Sequence, residues 1–260
     1  MYGLNGVASA MAISALIQAG ISRFQMSGQL QRNAIRREAR GCMSEWRVLR
    51  DFALPALLSG VLVVPAHWIC QAMLANTSNG YAELAVLGVA MQWFNVILFL
   101  PSVSGRVVLP ILTEHLSDKN HLDAKRLLLF SIGANAVVTV PIAILAAVFS
   151  SWILQLYGAE FQNGSITMVI AVITASLVSI QTPVGNMIAA VSRMWLAALM
   201  NFSWALVYVG LAYTLIVSGY GSAGIAGAMG IAYLVHTIHL FSFAKKQLNA
   251  LNTCLPIALK

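Results

Sequence analysis

The sequence predicts an all-α, polytopic membrane protein with seven transmembrane helices, and three observations lead to this fold class. The chain is 59% hydrophobic and only 9% charged, whereas a soluble domain is about 45–50% apolar and about 25% charged. Seven stretches are long and apolar enough to cross a bilayer, which takes roughly 20 residues. The 15 basic residues fall in or beside alternate connections. An ordinary soluble enzyme, a disordered chain and a nucleic-acid-binding domain are therefore excluded, and nucleic acid is not an expected partner.

The predicted spans follow one another along the whole chain. They cover residues 3–22, 52–74, 84–112, 127–149, 166–188, 195–217 and 223–243. The third is long and contains Pro101 and Pro110 late in it, and we expect Pro101 to kink it. The first has no basic start and is followed by a basic segment rather than a cleavage site, so it is not a secretory signal peptide.

The placement of Lys and Arg predicts the orientation. Basic residues lie after the first, third, fifth and seventh spans, with Arg106 just inside the end of the third, and none lies before the first span or in the other connections. The positive-inside rule then places the N-terminus outside and the C-terminus in the cytoplasm. The predicted organisation is a first transmembrane helix (1–25), a basic cytoplasmic linker (26–51), a six-helix bundle (52–243) and a cytoplasmic tail (244–260).

The basic linker allows two interpretations. On a helical wheel, Ile35, Trp46 and Leu49 share one apolar stripe. The arginines on the other side are Arg32, Arg36, Arg37 and Arg40. Such a helix could lie in the membrane interface with its arginines on anionic headgroups. A solvated linker whose charge only enforces the topology is the alternative, because Gly28 and Gly41 weaken the helix prediction.

The third span carries the best candidate for a transport path. Gln92, Asn95, Ser102 and Arg106 lie within about 80° on one face of a regular helix. Polar groups at membrane depth are costly unless they meet partners or water. The stripe is therefore predicted to line a path for a glycan or a phosphate. The alternatives are interhelical hydrogen bonding for the stripe and snorkelling to the interface for Arg106.

Three further polar residues are weaker candidates for the same path. His67 and Gln71 lie one turn apart in the second span, next to Pro65, and a histidine can relay protons near neutral pH. A buried histidine satisfied by a neighbouring group is the alternative. Asn135 recurs with Ser131 and Thr139 at helical spacing in the fourth span, where cavity lining and interhelical bonding are equally compatible with the pattern.

The sequence predicts neither enzyme chemistry nor a cofactor nor a metal site. No nucleophile has a base at motif spacing, and no phosphate-binding loop is present. His236 and His239 share a helix face, but two histidines alone do not make a metal site. The carboxylates lie at span ends, in connections or in the basic linker, which argues against a buried sodium or proton site of the drug-exporter type. Three cysteines without a CxxC pair do not predict a disulfide framework.

Ordered segments along most of the chain resemble one family. They are LPALLSG at 54–60, PAHW at 65–68, GYAEL at 80–84, AMQW at 90–93, FLP at 99–101, LPIL at 109–112, LYGAEF at 156–161 and GYGSAGIAG at 219–227. This pattern resembles the C-terminal half of bacterial oligosaccharide flippases, the Wzx-type O-antigen-unit transporters of the MATE-like MOP superfamily of multidrug, oligosaccharidyl-lipid and polysaccharide exporters.

The resemblance implies a fold and a function. The chain would be the second lobe of a MATE-like transporter plus one preceding helix, in the cytoplasmic (inner) membrane. It would flip polyprenyl-pyrophosphate-linked oligosaccharide units for a surface polysaccharide such as the O-antigen of lipopolysaccharide. Its partners would be the bilayer, the lipid-linked oligosaccharide, and glycan polymerase or assembly proteins or a first lobe. The alternatives are a small-molecule exporter of the same superfamily and a truncated, non-transporting remnant or scaffold.

Overall fold

The computed structural model describes residues 3–32, 46–118 and 120–253, and these residues form helices and no strand. The helices are α1 (Gly3–Arg32), α2 (Trp46–Val48), α3 (Leu54–Ala75), α4 (Gly80–Ser117), α5 (His121–Val148), α6 (Ser150–Tyr157), α7 (Ser165–Ala190), α8 (Met194–Val217) and α9 (Gly221–Thr253). A π-helical turn, Leu49–Ala53, joins α2 to α3, and a 3₁₀ turn, Ala159–Gly164, precedes α7. The all-α prediction is confirmed for these residues.

Six of the helical segments in the described residues are long and apolar enough to span a membrane. They are Trp46–Ala75, Gly80–Ser117, His121–Val148, Ala159–Ala190, Met194–Val217 and Gly221–Asn249. They correspond to the second through seventh predicted spans. The first predicted span forms α1, which is not among these six. The count of seven spans and the orientation of the termini stay predictions.

The chain divides into two compact units, Met1–Trp46 and Arg47–Lys260. In the first unit, α1 continues past residue 25, where the sequence predicted the first transmembrane helix to end, and Arg32 is its exposed last residue. Arg36, Arg37 and Arg40 lie outside the described residues, so the interfacial helix stays a prediction. In the second unit, α9 continues past residue 243, because Ala244 and Leu248 still pack against the bundle.

Prolines occur inside four of the long helices without ending them. Pro65 lies in α3, Pro101 and Pro110 in α4, Pro141 in α5 and Pro183 in α7. A proline inside a helix removes one backbone hydrogen bond to the carbonyl four residues earlier. Membrane helices tolerate this where neighbouring helices or water satisfy the freed carbonyl. In α4 the helix remains continuous through both prolines, so the residues of the predicted stripe stay on one helix.

Helix α7 is the centre of the six-helix bundle. It packs against α4, α5 and α9, while α8 packs against α9 and α3. Small residues let these helices approach closely: a Cβ on Gly230 would lie 3.1 Å from Thr174 Oγ1 of α7, and one on Gly105 would lie 3.1 Å from Asn186 Nδ2. Such contacts are typical of membrane bundles, where close van der Waals packing replaces the hydrophobic driving force between helices.

The buried core is divided along the bundle axis. One large cluster, which includes Phe94, Met168, Trp204 and Tyr208, joins α3, α4, α5, α6, α7, α8 and α9. Smaller clusters around Val184 and Leu128 lie toward the opposite end. Many large apolar side chains elsewhere are more than half exposed, among them Phe130, Val137, Leu199 and Leu206. Apolar exposure on this scale indicates a lipid-facing surface.

Glu83 holds three helices together at the predicted outer end, which we define as the bundle end with the turns at 76–79, 158–164 and 218–220. The carboxylate Oε2 of Glu83 in α4 accepts a 2.8 Å hydrogen bond from the backbone N–H of Ser222, at the start of α9. The hydroxyl of Ser222 in turn lies 2.9 Å from Thr167 Oγ1 of α7. A carboxylate at a helix N-terminus also interacts favourably with the helix dipole.

Gly221 makes this arrangement possible. Its φ is +50°, and a Cβ at this position would lie 2.7 Å from the Glu83 carboxylate. A side chain at Gly221 would therefore be strained by the backbone and would also displace the cap. The contact links the local backbone of a turn to the packing of α4, α7 and α9.

We expect Gly221→Ala to lower the free energy of unfolding by about 1–3 kcal/mol, because a left-handed backbone disfavours a Cβ and the cap is lost. Thermal unfolding of the purified chain, followed by tryptophan fluorescence, measures this. Gly227→Ala is the matched control in the same helix, since the nearest atom to its Cβ would be 4.0 Å away. Equal melting temperatures for the two variants would contradict the role assigned to Gly221.

Candidate functional site

The exposed face of α4 is divided into a polar arc and an apolar arc. Gln92, Asn95, Ser102 and Arg106 are all exposed in this bundle and occupy about 80° of the helix circumference. The adjoining arc, about 60° wide, carries the exposed side chains Val96, Leu100, Val103 and Val107. The buried side chains of Phe94, Ile97 and Pro101 lie on the opposite side of the helix. One edge of α4 is therefore suited to lipid and the other to water or polar groups.

The polar arc lies at membrane depth. Along the axis, with about 1.5 Å per residue, all four polar residues are within about 12 Å of the midpoint of the predicted span at 84–112. The half-thickness of the hydrocarbon core is about 15 Å. Within the described residues, the side chains of Gln92 and Asn95 make no hydrogen bond, and that of Ser102 donates to its own helix, to the carbonyl of Phe99, at 2.7 Å. In lipid such exposed amides would each cost roughly 2 kcal/mol or more.

Arg106 lies one turn beyond Ser102 and is exposed. Among the described residues, no carboxylate pairs with it. The neighbouring Gly105 lets α7 approach, and Asn186 Nδ2 of α7 donates to the Gly105 carbonyl at 3.4 Å. Pro110 cannot donate to the carbonyl of Arg106, so that oxygen also lacks its usual helical partner. The site therefore offers an unpaired cation and a backbone acceptor side by side.

His67 and Gln71 have different environments on α3. Gln71 is exposed, whereas His67 is half-buried. The Nδ1 atom of His67 lies 3.2 Å from the hydroxyl of Tyr208 in α8, and its ring lies 5.6 Å from that of Trp204. Tyr208 is therefore a neighbouring group that can satisfy His67, as the alternative interpretation of the sequence required. A role of His67 and Gln71 in a path stays a prediction.

An aromatic cluster behind His67 was not predicted from the sequence. The ring of Trp204 lies 5.2 Å from that of Tyr208 and 5.1 Å from that of Tyr233 in α9. Tyr233 also contacts His236, and His236 Nδ1 lies 3.3 Å from Gln181 Oε1 of α7. Aromatic residues in a span pack equally well against lipid or core, so only the four-residue spacing of Trp204 and Tyr208 signals a shared face.

Asn135 lies inside the bundle and not on an exposed face. Its side chain is buried, and Nδ2 donates a 2.9 Å hydrogen bond to the backbone carbonyl of Ser179 in α7. Thr139, one turn later, donates to the Asn135 carbonyl. This geometry supplies the interhelical bond that the sequence offered as the alternative to cavity lining. The structure therefore separates Asn135 from the polar arc of α4.

Within the residues that the structure describes, no group of three or more His, Cys, Asp or Glu side chains could hold a metal ion. Glu83 caps α9, and Asp123 pairs with Arg126 at 3.4 Å near the start of α5. In this part of the chain, the polar groups at mid-depth are amides, hydroxyls, histidines and one arginine. These groups can bind a hydroxyl-rich or anionic molecule through hydrogen bonds.

Two kinds of comparison relate the chain to known proteins. It is 31% identical over 192 residues to the EPS I polysaccharide export inner membrane protein EpsE of Ralstonia nicotianae. The aligned region covers 73% of this chain and 43% of EpsE. The EpsE protein of Ralstonia solanacearum is 30% identical over the same length. No family model matches. The chain thus spans less than half the length of the curated relatives it matches.

Solved structures share the fold. A MATE transporter in its bent conformation superposes with a TM-score of 0.73 at 14% identity, covering 85% of this chain and 49% of that one. The lipid II flippase MurJ in an inward closed conformation gives a TM-score of 0.63 at 16% identity, covering 74% and 43%. The neighbours include transporters of the MOP superfamily. This chain is a homologue of polysaccharide-export inner membrane proteins and has the MOP fold.

The comparisons decide several sequence-based predictions about this chain, which has the MOP fold. The predicted resemblance is confirmed, and so is its location as a multi-pass protein of the inner membrane. The relatives and neighbours are an export protein, transporters and a flippase, in agreement with the prediction that the chain is not an enzyme. The candidate site residues stay predictions. Because Asn95 of α4 is exposed and Asn135 of α5 is buried, their roles can be tested separately.

Substitution of Asn135 and of Asn95 distinguishes a structural residue from an exposed one. We expect Asn135→Ala to lower the free energy of unfolding by about 1 kcal/mol, because it removes a buried interhelical hydrogen bond. Asn95→Ala is the matched control and should change it by less than about 0.5 kcal/mol, because its side chain is exposed. Thermal unfolding of the two purified variants compares them. A larger loss for Asn95→Ala would mean that Asn95 is the structural residue of the pair.

Proposed function

We propose that this chain is one lobe of a flippase that moves polyprenyl-pyrophosphate-linked oligosaccharide units across the inner membrane. The observation that carries the proposal is the polar arc of α4, where Gln92, Asn95, Ser102 and Arg106 are exposed at membrane depth. Polar side chains at this depth are retained where they face a watery cavity or another polar surface. The polar arc would therefore form one wall of the path taken by the sugar.

The chemistry of the arc fits the two parts of such a substrate. Amides and hydroxyls donate and accept hydrogen bonds with sugar hydroxyls. The guanidinium of Arg106 can bind a pyrophosphate through two parallel hydrogen bonds. Phe99, which is 65% exposed within the same arc, offers an apolar face. The lipid tail would remain in the bilayer, beside the apolar arc of α4.

The names of the relatives support this substrate class. EpsE is named a polysaccharide export inner membrane protein, and a fold neighbour is a lipid II flippase. The orientation predicted from the basic residues places Arg106 toward the cytoplasmic leaflet, where a lipid-linked unit would first meet the path. The basic linker with Arg32, Arg36, Arg37 and Arg40 would add attraction for the pyrophosphate on that side.

A single lobe has one wall of the path, so the function requires a second. Alternating access in such transporters is largely a rocking of two bundles around a site between them. The present chain matches 43% to 49% of the length of its relatives and fold neighbours. We therefore propose that it works with a first lobe, and that glycan assembly proteins are further partners.

Cysteine accessibility tests which side of α4 faces water. In a variant without Cys42, Cys70 and Cys254, Asn95→Cys should react with a membrane-impermeant maleimide in cells, because its arc faces the aqueous path. Val96→Cys is the matched control: it is the next residue, at the same depth and 60% exposed, but it should face lipid and stay unlabelled. Equal labelling of both positions would remove the support for a polar path.

An export assay tests the function. Deletion of the locus should trap the lipid-linked oligosaccharide on the inner leaflet, and the chain expressed with a first lobe should restore surface glycan. Arg106→Gln should reduce the restored export about fivefold, the effect of losing roughly 1 kcal/mol of attraction for the pyrophosphate. Arg126→Gln is the control, since Arg126 is exposed and pairs with Asp123.

The outcomes separate the possible roles of the chain. Full export by Arg106→Gln would exclude a substrate role for this residue. If deletion leaves the surface glycan intact and traps no intermediate, the flippase proposal is wrong for that glycan. If the chain restores export without any other lobe, it must supply the second wall of the path by self-association.

A further inference from the structure

A groove between α8 and α9 lies at the end of the bundle where the sequence predicts the cytoplasm. It has a volume of about 380 Å³, which is in the range of small-molecule sites. Leu196, Leu199 and Met200 of α8 and Phe243 of α9 form its apolar surface. Leu199 is 64% exposed, so the groove opens sideways, onto the lipid-facing surface of the bundle. The polar arc is on α4, which does not pack extensively against α8.

Three basic side chains line the same groove. They are Arg193 at the start of α8, and His239 and Lys246 of α9. All three are exposed. In the part of the chain that the structure describes, no carboxylate forms an ion pair with Arg193 or Lys246. The groove therefore combines an apolar wall with an uncompensated positive rim.

The turn between α7 and α8 places Arg193 over the groove. Ser192 adopts a left-handed backbone with φ of +56°, and Arg193 follows as the N-cap residue immediately before α8. Its Cζ atom lies 5.9 Å from the centre of the Phe243 ring, within the range of a cation–π interaction. This contact holds the guanidinium against the groove wall and leaves its N–H groups available for an anion.

The arrangement follows the chemistry of an anionic lipid along the membrane normal. Arg193 and Lys246 lie at the rim, while Leu196 and Leu199 follow at about 4.5 and 9 Å farther along α8. A phosphate at the rim would be bound by the two cations, and an acyl chain would lie along the leucines. Basic pockets between helices on the cytoplasmic side are typical sites for anionic headgroups.

We propose that the groove between α8 and α9 binds an anionic phospholipid of the inner leaflet, with its phosphate on Arg193 and Lys246. The hydroxyl of Ser242, also in the groove, can donate to an ester or glycerol oxygen. The occupant is a resident lipid and not the transported molecule, because the groove is lined by α8 and α9 and opens toward lipid, whereas the polar arc is on α4. The proposal does not rest on the proposed flippase function and would hold for any membrane role of the chain.

Native mass spectrometry of the full purified chain tests this site. Phosphatidylglycerol should remain bound, and phosphatidylethanolamine, which carries no net charge, should bind more weakly. Arg193→Gln and Lys246→Gln should each weaken phosphatidylglycerol binding about fivefold, and the double variant roughly 25-fold, from about 1 kcal/mol per cation. Lys245→Gln is the matched control: it removes the same charge at the same depth, but Lys245 lines a different groove with Lys125.

Each outcome decides for or against the site. Selective weakening by the Arg193 and Lys246 variants, with unfolding temperatures unchanged, supports it. Equal weakening by Lys245→Gln would show unspecific attraction to a basic surface. Equal binding of the two phospholipids, or of inorganic phosphate with the same affinity, would contradict a phospholipid site. Displacement of phosphatidylglycerol by undecaprenyl phosphate through the same two residues would overturn the assignment and make the groove a substrate site.

Discussion

The bilayer core contains no water, and this constraint decides what each polar group of the bundle can do. Backbone groups are satisfied by helices, which is why the described residues form long helices even through interior prolines. A polar side chain must find a partner inside the bundle or face a path that holds water. Asn135 and Gln181 have partners inside the bundle: Asn135 bonds to Ser179, and Gln181 bonds to Thr237. Asn95 and Arg106 are exposed on the bundle surface, so they must face water or another polar surface there.

The packing of the bundle explains how these two classes of polar group remain separate. Helix α7 packs against α4, α5 and α9, so it accepts an interhelical hydrogen bond from Asn135 of α5 and donates one from its own Asn186 to Gly105 of α4. Close approach depends on small residues such as Gly105 and Gly230 at the contacts. Helix α7 covers one side of α4, and in the described part of the second unit the side chains of the polar arc on α4 remain exposed. The polar arc therefore follows from the same central position of α7 that stabilises the bundle.

The sequence predicted the helices better than it predicted their surroundings. The length of each apolar stretch identifies a span, because a helix that crosses the bilayer needs a minimum number of residues. Helical spacing also showed that Gln92, Asn95, Ser102 and Arg106 share a face. It could not show which face is covered, because core and lipid are equally apolar. Asn95 and Asn135 carry the same signal in the sequence, yet one is exposed and the other buried. The cluster of Trp204, Tyr208 and Tyr233 escaped prediction for the same reason.

The exposed surface of the bundle has two regions with different chemical requirements. Apart from Phe99, the polar arc of α4 presents polar and charged groups, and it needs a second protein surface to exclude lipid from it. The groove between α8 and α9 combines apolar and basic groups, and a lipid molecule alone can satisfy both. These regions are formed by different helices, α4 for the polar arc and α8 with α9 for the groove, so one can be occupied without the other. A second lobe against α4 and a resident lipid at α8 and α9 are therefore compatible within one assembly.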